Sequence, residues 1–317
     1  MAHYIENSSA HGAYRVVVPP ELAGMRLDLA LARLLPQFSR SRLQEWIRSG
    51  HVKINDGAAV PKSKVWGGES LCVAPQEIPG TAPHKAEDIS LSVVFEDQDI
   101  LVIDKPAGLV VHPGSGNWSG TLLNALLQHE PRLEAVPRAG IVHRLDKDTS
   151  GLMVVAKTLE SHTSLVRQLQ ARTVTREYRA VAYGILEGSG TVDAPVGRHP
   201  VNRTSMAVVT HGRPARTHYQ ALEKGTAWTY LNLRLDTGRT HQIRVHLHSI
   251  GHPLIGDPTY RPNRKFPGLP LAATQFHRQA LHARHLALIH PMSYAELSWQ
   301  APMPLDMEAL ITALQDD

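Results

Sequence analysis

Cysteine is nearly absent from this chain of 317 residues, in which Cys72 stands alone. One thiol can form no disulfide within the chain, and it supplies neither a cysteine-based zinc site nor an iron–sulfur site. Aromatic residues make up 5% of the sequence, too few for a surface that stacks many bases in succession. No apolar run is long enough to span a bilayer, and none follows a basic start. We therefore expect a cytoplasmic protein without a signal peptide or membrane segment.

The rest of the composition is that of a folded protein with a substantial core. Hydrophobic residues account for 42% of the chain and charged residues for 20%, and the length suffices for two domains of ordinary size. The 33 lysines and arginines exceed the 29 aspartates and glutamates, which leaves a net charge of +4. This mild excess is compatible with a polyanionic partner but does not establish one.

The basic residues are concentrated in three regions of the sequence. Between Asp193 and Glu223 there is no carboxylate, whereas this interval holds four arginines and three histidines. A second concentration lies in residues 138–179 and a third in residues 40–64. Clustered cations neutralise phosphates, and arginine also stacks on unpaired bases, so the three regions together predict a nucleic-acid partner.

Histidine is abundant, with 19 residues, which raises the question of a metal site. His241, His246 and His248 lie close together, but no ligand spacing such as HExxH occurs. We therefore expect no bound metal. We interpret these histidines as residues that face a nucleic acid or as polar residues that are satisfied within the fold.

The spacing of apolar residues divides the chain into four parts. Residues 1–18 are polar and irregular and are predicted to form a flexible tail. Residues 19–78 have the pattern of a helix, a short turn, a second helix and a small β unit. The proline-rich segment 79–88 is predicted to be a linker. Residues 89–317 alternate strands and helices without a βαβ rhythm, which predicts an α+β fold with a mixed sheet.

Two helices are predicted in the first domain. The first ends at Pro36 and has an apolar face of four leucines, namely Leu27, Leu31, Leu34 and Leu35. The second begins at Ser41, where Ser41 and Gln44 have the spacing of a capping box, and it ends at Gly50. Asn55-Asp-Gly57 then indicates a tight turn between two strands.

The most distinctive segment is His143-Arg-Leu-Asp-Lys-Asp-Thr-Ser-Gly151, a polar loop that leads into an apolar strand. Its Asp146 follows Arg144 closely and precedes Lys147, and these opposite charges favour the ionised carboxylate. An ionised carboxylate is a poor general acid but can act as a nucleophile or stabilise positive charge. An aspartate in a basic loop is more often part of a structural ion pair, so the spacing alone does not make it catalytic.

A second motif, Gly238-Arg-Thr-His-Gln-Ile-Arg-Val-His246, is predicted to open a helix. If the helix begins near the middle of the motif, Ile243 and Leu247 face the core and Arg244 lies beside them. An arginine in that position needs a partner, for which a carboxylate such as Asp146 would serve. The alternative is an arginine that extends to solvent.

These motifs resemble those of the RluA/RluD family of RNA pseudouridine synthases. They have the family's order and spacing, with Tyr178, which could also be a packing residue, opening a strand between them. Three further phrases resemble the RluD subgroup, namely Asp104-Lys-Pro106, Val111-His-Pro-Gly-Ser-Gly116 and Pro137-Arg-Ala-Gly140. Residues 26–57 are similar to the S4 RNA-binding module of that subgroup. The resemblance implies an α+β protein: a small S4-like αα-β domain, followed by a catalytic domain with a mixed, largely antiparallel sheet.

The resemblance also implies an isomerase that converts uridine in RNA to pseudouridine without a metal, nucleotide or redox cofactor. Asp146 would be the catalytic carboxylate, Tyr178 would pack on the uracil and assist a proton transfer, and Arg244 would keep Asp146 ionised. Arg144 would fill the gap left by the flipped nucleotide. Further RNA contacts are expected from basic residues of both domains: Arg40, Arg42, Arg48, Lys53, Lys147, Arg176, Arg203, Arg239 and His241.

The resemblance to the RluD subgroup favours loop uridines of 23S ribosomal RNA or its precursor, bound by a monomer; transfer RNA is the alternative substrate. A glycoside hydrolase would need two carboxylates, and Asp146 and Asp148 would stand roughly 6–7 Å apart on an extended segment. We discount it because clustered cations suit phosphates better than neutral sugars. A non-catalytic ribosome-assembly protein would use the S4-like module alone, but binding gives no reason for an acidic residue in a basic loop.

Overall fold

A computed structural model of the chain contains two compact units, Met1–Pro83 and His84–Asp317. The structure describes residues 6–8, 13–36, 38, 40–74, 85–114, 117–202 and 204–316, and for 6–8, 41 and 42 it describes the backbone alone. No helix in these ranges is long and apolar enough to cross a membrane.

The first unit combines two helices with a small antiparallel sheet. The helices are α1 (Leu27–Leu34) and α2 (Arg40–Arg48). The strands are β1 (Glu6–Ser8), β2 (Ala13–Val17), β3 (Val52–Ile54), β4 (Gly57–Ala58) and β5 (Ser70–Val73). Within the described residues their order in the sheet is β1-β2-β5-β3-β4. Asn55 and Asp56 both have positive φ, at 47° and 62°, which is the backbone of the tight hairpin turn that the sequence predicts there.

The two helices form because their apolar residues recur at helical spacing and meet in one core. Leu27, Leu31 and Leu35 are fully buried in the same cluster as Leu43 and Trp46 of α2. Burying five side chains of this size stabilises the unit by roughly 1.5–3 kcal/mol each before the entropy of ordering is subtracted.

The capping box predicted at Ser41 is wrong. The helix α2 begins at Arg40, and the amide of Gln44 donates to the buried carboxylate of Asp28 on α1. Asp28 also accepts hydrogen bonds from Arg26 and Arg40. An ionised carboxylate is the stronger acceptor, because charge-assisted hydrogen bonds are roughly twice as strong as neutral ones.

The flexible tail predicted over residues 1–18 is wrong for its second half. The strand β2 pairs with β5 and buries Val16, and Val18, directly after the strand, is buried as well. This alternation of apolar side chains is the period of a strand, but it extends over too few residues to stand out in a polar segment. The parts of the predicted tail that lie outside the described residues are 1–5 and 9–12.

The second unit consists of a mixed β-sheet, a short hairpin and five α-helices within the described residues. Its strands are β6 (Val93–Glu96), β7 (Ile100–Lys105), β8 (Ser150–Ala156), β9 (Thr175–Tyr183), β10 (Ser189–Asp193), β11 (Val196–Arg198), β12 (Met206–Val208), β13 (Arg216–Lys224), β14 (Trp228–Leu235), β15 (Leu281–Ile289) and β16 (Glu296–Gln300). Its helices are α3 (Leu122–His129), α4 (Leu159–Ala171), α5 (Gln242–Ser249), α6 (Leu271–Thr274) and α7 (Leu305–Gln315), with short 3-10 turns at Pro131–Ala135 and Pro137–Gly140.

The large sheet has the strand order β10-β13-β14-β9-β15-β8-β7-β6, and β16 pairs with β15. In this sheet β15 and β8 are paired in parallel. The other neighbouring strands of the sheet are paired antiparallel. The α+β class with a mixed sheet is therefore confirmed. Strands β11 and β12 form a separate hairpin.

The linker predicted over 79–88 lies partly outside the described residues, since 79–84 are not among them. The backbone of Lys85 and Glu87, however, is hydrogen-bonded to Asn124 of α3, which attaches this segment to the second unit.

One row of residues across the sheet explains how the two motifs come together. Gly151 pairs with Ala283, Ala283 with Tyr178, and Tyr178 with Leu233. The row places the segment before β8 and the end of β14 on either side of Tyr178. Gly151 has φ +116°, and a Cβ there would lie 2.3 Å from the carbonyl oxygen of Ala283, so only glycine permits this close pairing.

Candidate active site

The second unit contains a cleft of about 750 Å³. Its walls come from the loop before β8, from β9, and from the segment that joins β14 to α5. The predicted site residues that line it are Arg144, Asp146, Arg176, Tyr178, Arg239, His241 and Arg244.

Arg244 reaches the cleft because of the way α5 packs. Ile243 and Leu247 are buried in the main core, as predicted, and they leave Arg244 beside them with only 5% of its side chain exposed. Its Nη1 donates to Oδ2 of Asp146 at 3.0 Å, so the predicted pairing with Asp146 is present. Asp146 is 16% exposed and is the member of the pair that faces the cleft.

Asp257 is a second partner of Arg244 that sequence reasoning missed. Its two carboxylate oxygens accept from Nε and Nη2 of Arg244 at 2.7 and 2.9 Å, and its side chain is fully buried. Burial alone would lower the pKa of Arg244, but the hydrogen bonds and charges of Asp257 and Asp146 outweigh it and raise that pKa. The sequence did carry a signal, since Asp257 is the one carboxylate between Asp236 and Glu296.

The loop that carries Asp146 is held by its backbone. The carbonyl of Asp146 accepts from the N–H of Thr149, which closes a turn just before β8. The fully buried Lys105 donates to the carbonyls of Pro106, Leu109 and Lys147 at 2.7, 3.0 and 2.9 Å. Burial lowers the pKa of Lys105 to about 8, although nearby aspartates oppose this shift. Lys105 thus joins two loops at the base of the turn.

His241, predicted to bind RNA, lies close to the carboxylate of Asp146. Its Nε2 is 3.8 Å from Oδ1 of Asp146, and its Nδ1 is 2.8 Å from the hydroxyl of Tyr260. That hydroxyl also accepts the N–H of Met206, so Tyr260 links His241 to the hairpin of β11 and β12. Burial lowers the pKa of His241, which favours the neutral ring.

Tyr178 lines the cleft together with Arg176 and His143. Tyr178 is buried, and burial raises the pKa of its phenol, which keeps it protonated. Arg176 is 7% exposed and its Nε is buried without a hydrogen-bond partner in the described part of the chain. The Nε2 of His143 accepts the N–H of Val154, and burial, followed by the charge of Arg176, lowers the pKa of His143 to about 3.

The remaining predicted RNA-binding residues lie elsewhere. Lys147 is exposed and Asp148, the second carboxylate considered above, is half-buried, and neither lines the cleft. The structure therefore does not bring Asp146 and Asp148 together in the cleft, and the other carboxylate among the described residues that line it is that of Asp236. In the first unit Arg40, Arg48 and Lys53 are exposed. The residues that lie outside the description are Arg203 and the side chain of Arg42.

One group of side chains has a geometry that could hold a metal ion. Asp97, Asp99 and His290 bring ligand atoms within 4.8 Å of one another. Oδ1 of Asp97 already accepts the N–H groups of Asp99 and Ile100, and its Oδ2 is bonded to His290. None of the three lines the cleft. Asp97 closes the turn between β6 and β7 and bonds that turn to His290, which follows β15.

Comparison with known families agrees with both motifs. A family model described as RNA pseudouridylate synthase matches residues 99–249, which include Asp146, Tyr178 and Arg244. A second model, described as S4 domain, matches residues 25–69.

Similar proteins and structures extend this match over most of the chain. The ribosomal large subunit pseudouridine synthase D of Nitrosomonas europaea is 59% identical over 95% of this chain and 88% of its own length. That of Pseudomonas aeruginosa is 52% identical over 95% of both. The structure of human RNA pseudouridylate synthase domain containing 4 is 26% identical, covers 71% of this chain and 93% of its own, and has a TM-score of 0.55. The chain therefore belongs to the RNA pseudouridylate synthase family and carries an S4 domain before its catalytic unit.

Proposed function

We propose that this protein converts loop uridines of large-subunit ribosomal RNA to pseudouridine, with Asp146 as the catalytic carboxylate. The main support for this proposal is the position of the Asp146 carboxylate, which lines the cleft and accepts a hydrogen bond of 3.0 Å from the buried Arg244. Family membership supports the reaction, and the names of the relatives support the ribosomal substrate. The expectations of a monomer without metal or cofactor that acts in the cytoplasm are part of this proposal.

In the proposed reaction the bond between C1′ and N1 of uridine breaks and the base turns. C5 then bonds to C1′ and loses its proton while N1 gains one, so the product is an isomer of the substrate. Asp146 can add to C1′ or remove a ribose proton to give a glycal, and both routes need its ionised form. Arg244 stabilises that form by its charge, and the bidentate bond to Asp257 holds Arg244 in place.

The uridine has to leave the RNA stack to reach Asp146. Unstacking costs a few kcal/mol and least in a loop, which favours loop uridines. The volume of the cleft lies within the range of ligand pockets. Tyr178, as a neutral phenol, packs against the uracil and assists the late proton transfer. Arg144 is exposed at the cleft, where it can occupy the space that the nucleotide vacates.

The test uses RNA labelled with tritium at uracil C5, because isomerisation releases that label whereas binding retains it. Asp146→Asn should reduce tritium release from large-subunit ribosomal RNA by about a hundredfold to a thousandfold, the loss seen for groups that stabilise transition-state charge. Retention of RNA on a filter should stay within a few-fold of wild type.

Asp148→Asn is the matched control, since it removes a carboxylate from the same turn outside the cleft and should leave tritium release within a few-fold. Release by Asp146→Asn at the wild-type rate would overturn its catalytic assignment. Transfer RNA and small-subunit ribosomal RNA are assayed in parallel. Release from one of these but not from large-subunit RNA would overturn the proposed substrate.

A further inference from the structure

A second cavity, of about 400 Å³, opens beside the cleft. It is enclosed by the hairpin of β11 and β12 and by the segment that precedes α5. It shares Arg144, Arg213 and residues 238–241 with the cleft. The two spaces are therefore adjacent within the second unit, and a chain that fills one can continue into the other.

The lining of this cavity is strongly cationic. We call it the arginine pocket after the four arginines that line it, Arg144, Arg198, Arg213 and Arg239. Among the described residues no carboxylate contributes to its lining. Burial lowers the pKa of Arg239, and the charges of Arg213 and Arg172 lower it further. The like charges here repel one another, and a bound anion would relieve that repulsion.

Two of these arginines are set on a fixed backbone and retain donors for a ligand. Arg239 uses Nε on the carbonyl of Pro214 at 3.1 Å, which leaves its Nη groups as donors. The backbone of Arg213 exchanges two hydrogen bonds of 2.9 Å with Val196 in β11. A guanidinium in such a setting binds phosphate oxygens through two parallel N–H groups.

The wall of the arginine pocket is also bonded to residues beside the catalytic carboxylate. Met206 of the hairpin donates its N–H to Tyr260, whose hydroxyl is bonded to His241. His241 in turn lies 3.8 Å from Asp146. This chain of contacts sets the hairpin at a defined place relative to the position of the reacting sugar.

We propose that the arginine pocket binds a backbone phosphate of the nucleotide that adjoins the uridine in the cleft. The inference rests on the proposed function, since it takes RNA as the ligand. A nucleoside in the cleft carries a phosphodiester on each side, and one of them leaves along the wall that the cleft and the pocket share. Arg213 and Arg239 neutralise that phosphate and so fix the direction in which the strand crosses the site.

Phosphate-ethylation interference tests this proposal directly. Pseudouridine is first mapped in large-subunit ribosomal RNA treated with the wild-type protein, and a hairpin containing the modified uridine is then ethylated at random phosphates. Wild-type protein should reject hairpins ethylated at one or two phosphates next to that uridine. Arg213→Ala and Arg239→Ala should bind unmodified hairpin about tenfold more weakly and lose the interference at those phosphates. The salt slope should fall by about 0.7 for each lost contact.

Lys224→Ala is the control, because Lys224 is a cation at the opposite end of β13 from the site and is paired with Glu187. It should keep the wild-type interference pattern. Arg213→Gln, which retains a polar side chain, should behave as Arg213→Ala if folding is intact. The same interference pattern in the arginine variants and in wild type would overturn the pocket. Absence of pseudouridine from the treated RNA would instead overturn the proposed function, and the two failures are thus distinguishable.

Discussion

The two units each contain a cluster of arginine and carboxylate side chains, but the buried ion has the opposite sign in each. In the first unit the carboxylate of Asp28 is fully buried, and Arg26 and Arg40 around it are 39% and 46% exposed. In the second unit Arg244 is the buried central ion, and Asp146 is the partner that faces the cleft. In each cluster the central ion holds its partners in place. Under the proposed function the more exposed ions have the sign that the ligand requires, namely cations for the RNA backbone and a carboxylate for a sugar that becomes positive.

Removal of the central ion of the second unit should have the largest effect. Arg244→Ala leaves Asp257 buried without its guanidinium, which should destabilise the unit by about 3–5 kcal/mol and abolish tritium release. Urea unfolding followed by circular dichroism measures the loss. Asp146→Asn is the matched control, because it leaves the Arg244–Asp257 bond intact and should unfold near the wild-type midpoint. Equal midpoints for all three proteins would show that Arg244 is not the ion on which this cluster depends.

Removal of the central ion of the first unit should have the next largest effect. Burial alone would raise the pKa of Asp28, but hydrogen bonds from Arg26, Gln44 and Arg40 hold it well below its usual range. Its contribution to stability is therefore fully present above about pH 4 and decreases as the pH falls below that value. Asp28→Asn should cost about 2 kcal/mol at pH 7 and flatten this acid dependence in unfolding measurements. RNA affinity should fall with it, because the two arginines lose their common anchor.

An intermediate effect is expected from Tyr260, which touches both His241 and Arg244. Its ring lies 5.0 Å from the Arg244 guanidinium, a contact that Tyr260→Phe retains. That substitution removes only the hydroxyl, and so leaves both Nδ1 of His241 and the N–H of Met206 without this partner. We expect kcat to fall about tenfold, which corresponds to about 1.4 kcal/mol, and KM to rise as well, because Met206 in the wall of the arginine pocket loses its acceptor. A rise in KM at constant kcat would place Tyr260 in RNA binding instead of in positioning His241.

The smallest effect should come from an outer ion of the first unit. Arg40→Ala leaves Asp28 with Arg26, so stability should change by less than about 1 kcal/mol. RNA affinity should fall a few-fold and its salt slope by about 0.7–0.9, as for the loss of one phosphate contact. Filter binding over a range of salt concentrations measures both. An unchanged slope would mean that Arg40 serves Asp28 and does not contact RNA.

Helices and long strands could be predicted from the sequence because the spacing of their apolar residues alone determines where they form. The helix α5 was placed by Ile243 and Leu247, and the same packing placed Arg244 opposite Asp146. The hairpin of β11 and β12 was not foreseen as such, since its strands have three residues each. Strands so short have too few alternations to register as a pattern.

The partners of Arg244 and His241 could be predicted only in part. Asp146 belongs to a distinctive motif, whereas Asp257 and Tyr260 lie in a loop with no periodicity. Their roles come from contacts across the fold, such as the bond between Tyr260 and the backbone of Met206. A count of charges would have pointed to Asp257, because a buried arginine in a long stretch with one carboxylate has few other partners.

The strand β8 has a consequence for how the enzyme fails on heating. It is buried over its whole length, and it begins one residue after the turn that Asp146 closes with Thr149. Lys105, at the end of the neighbouring strand β7, fastens the other side of that turn through Lys147. Local opening concentrates in exposed, weakly packed segments, and in this turn Lys147 is exposed whereas Thr149 is buried and continues into β8. We therefore expect Asp146 to be displaced together with the centre of the sheet, so thermal inactivation and melting of the second unit should coincide.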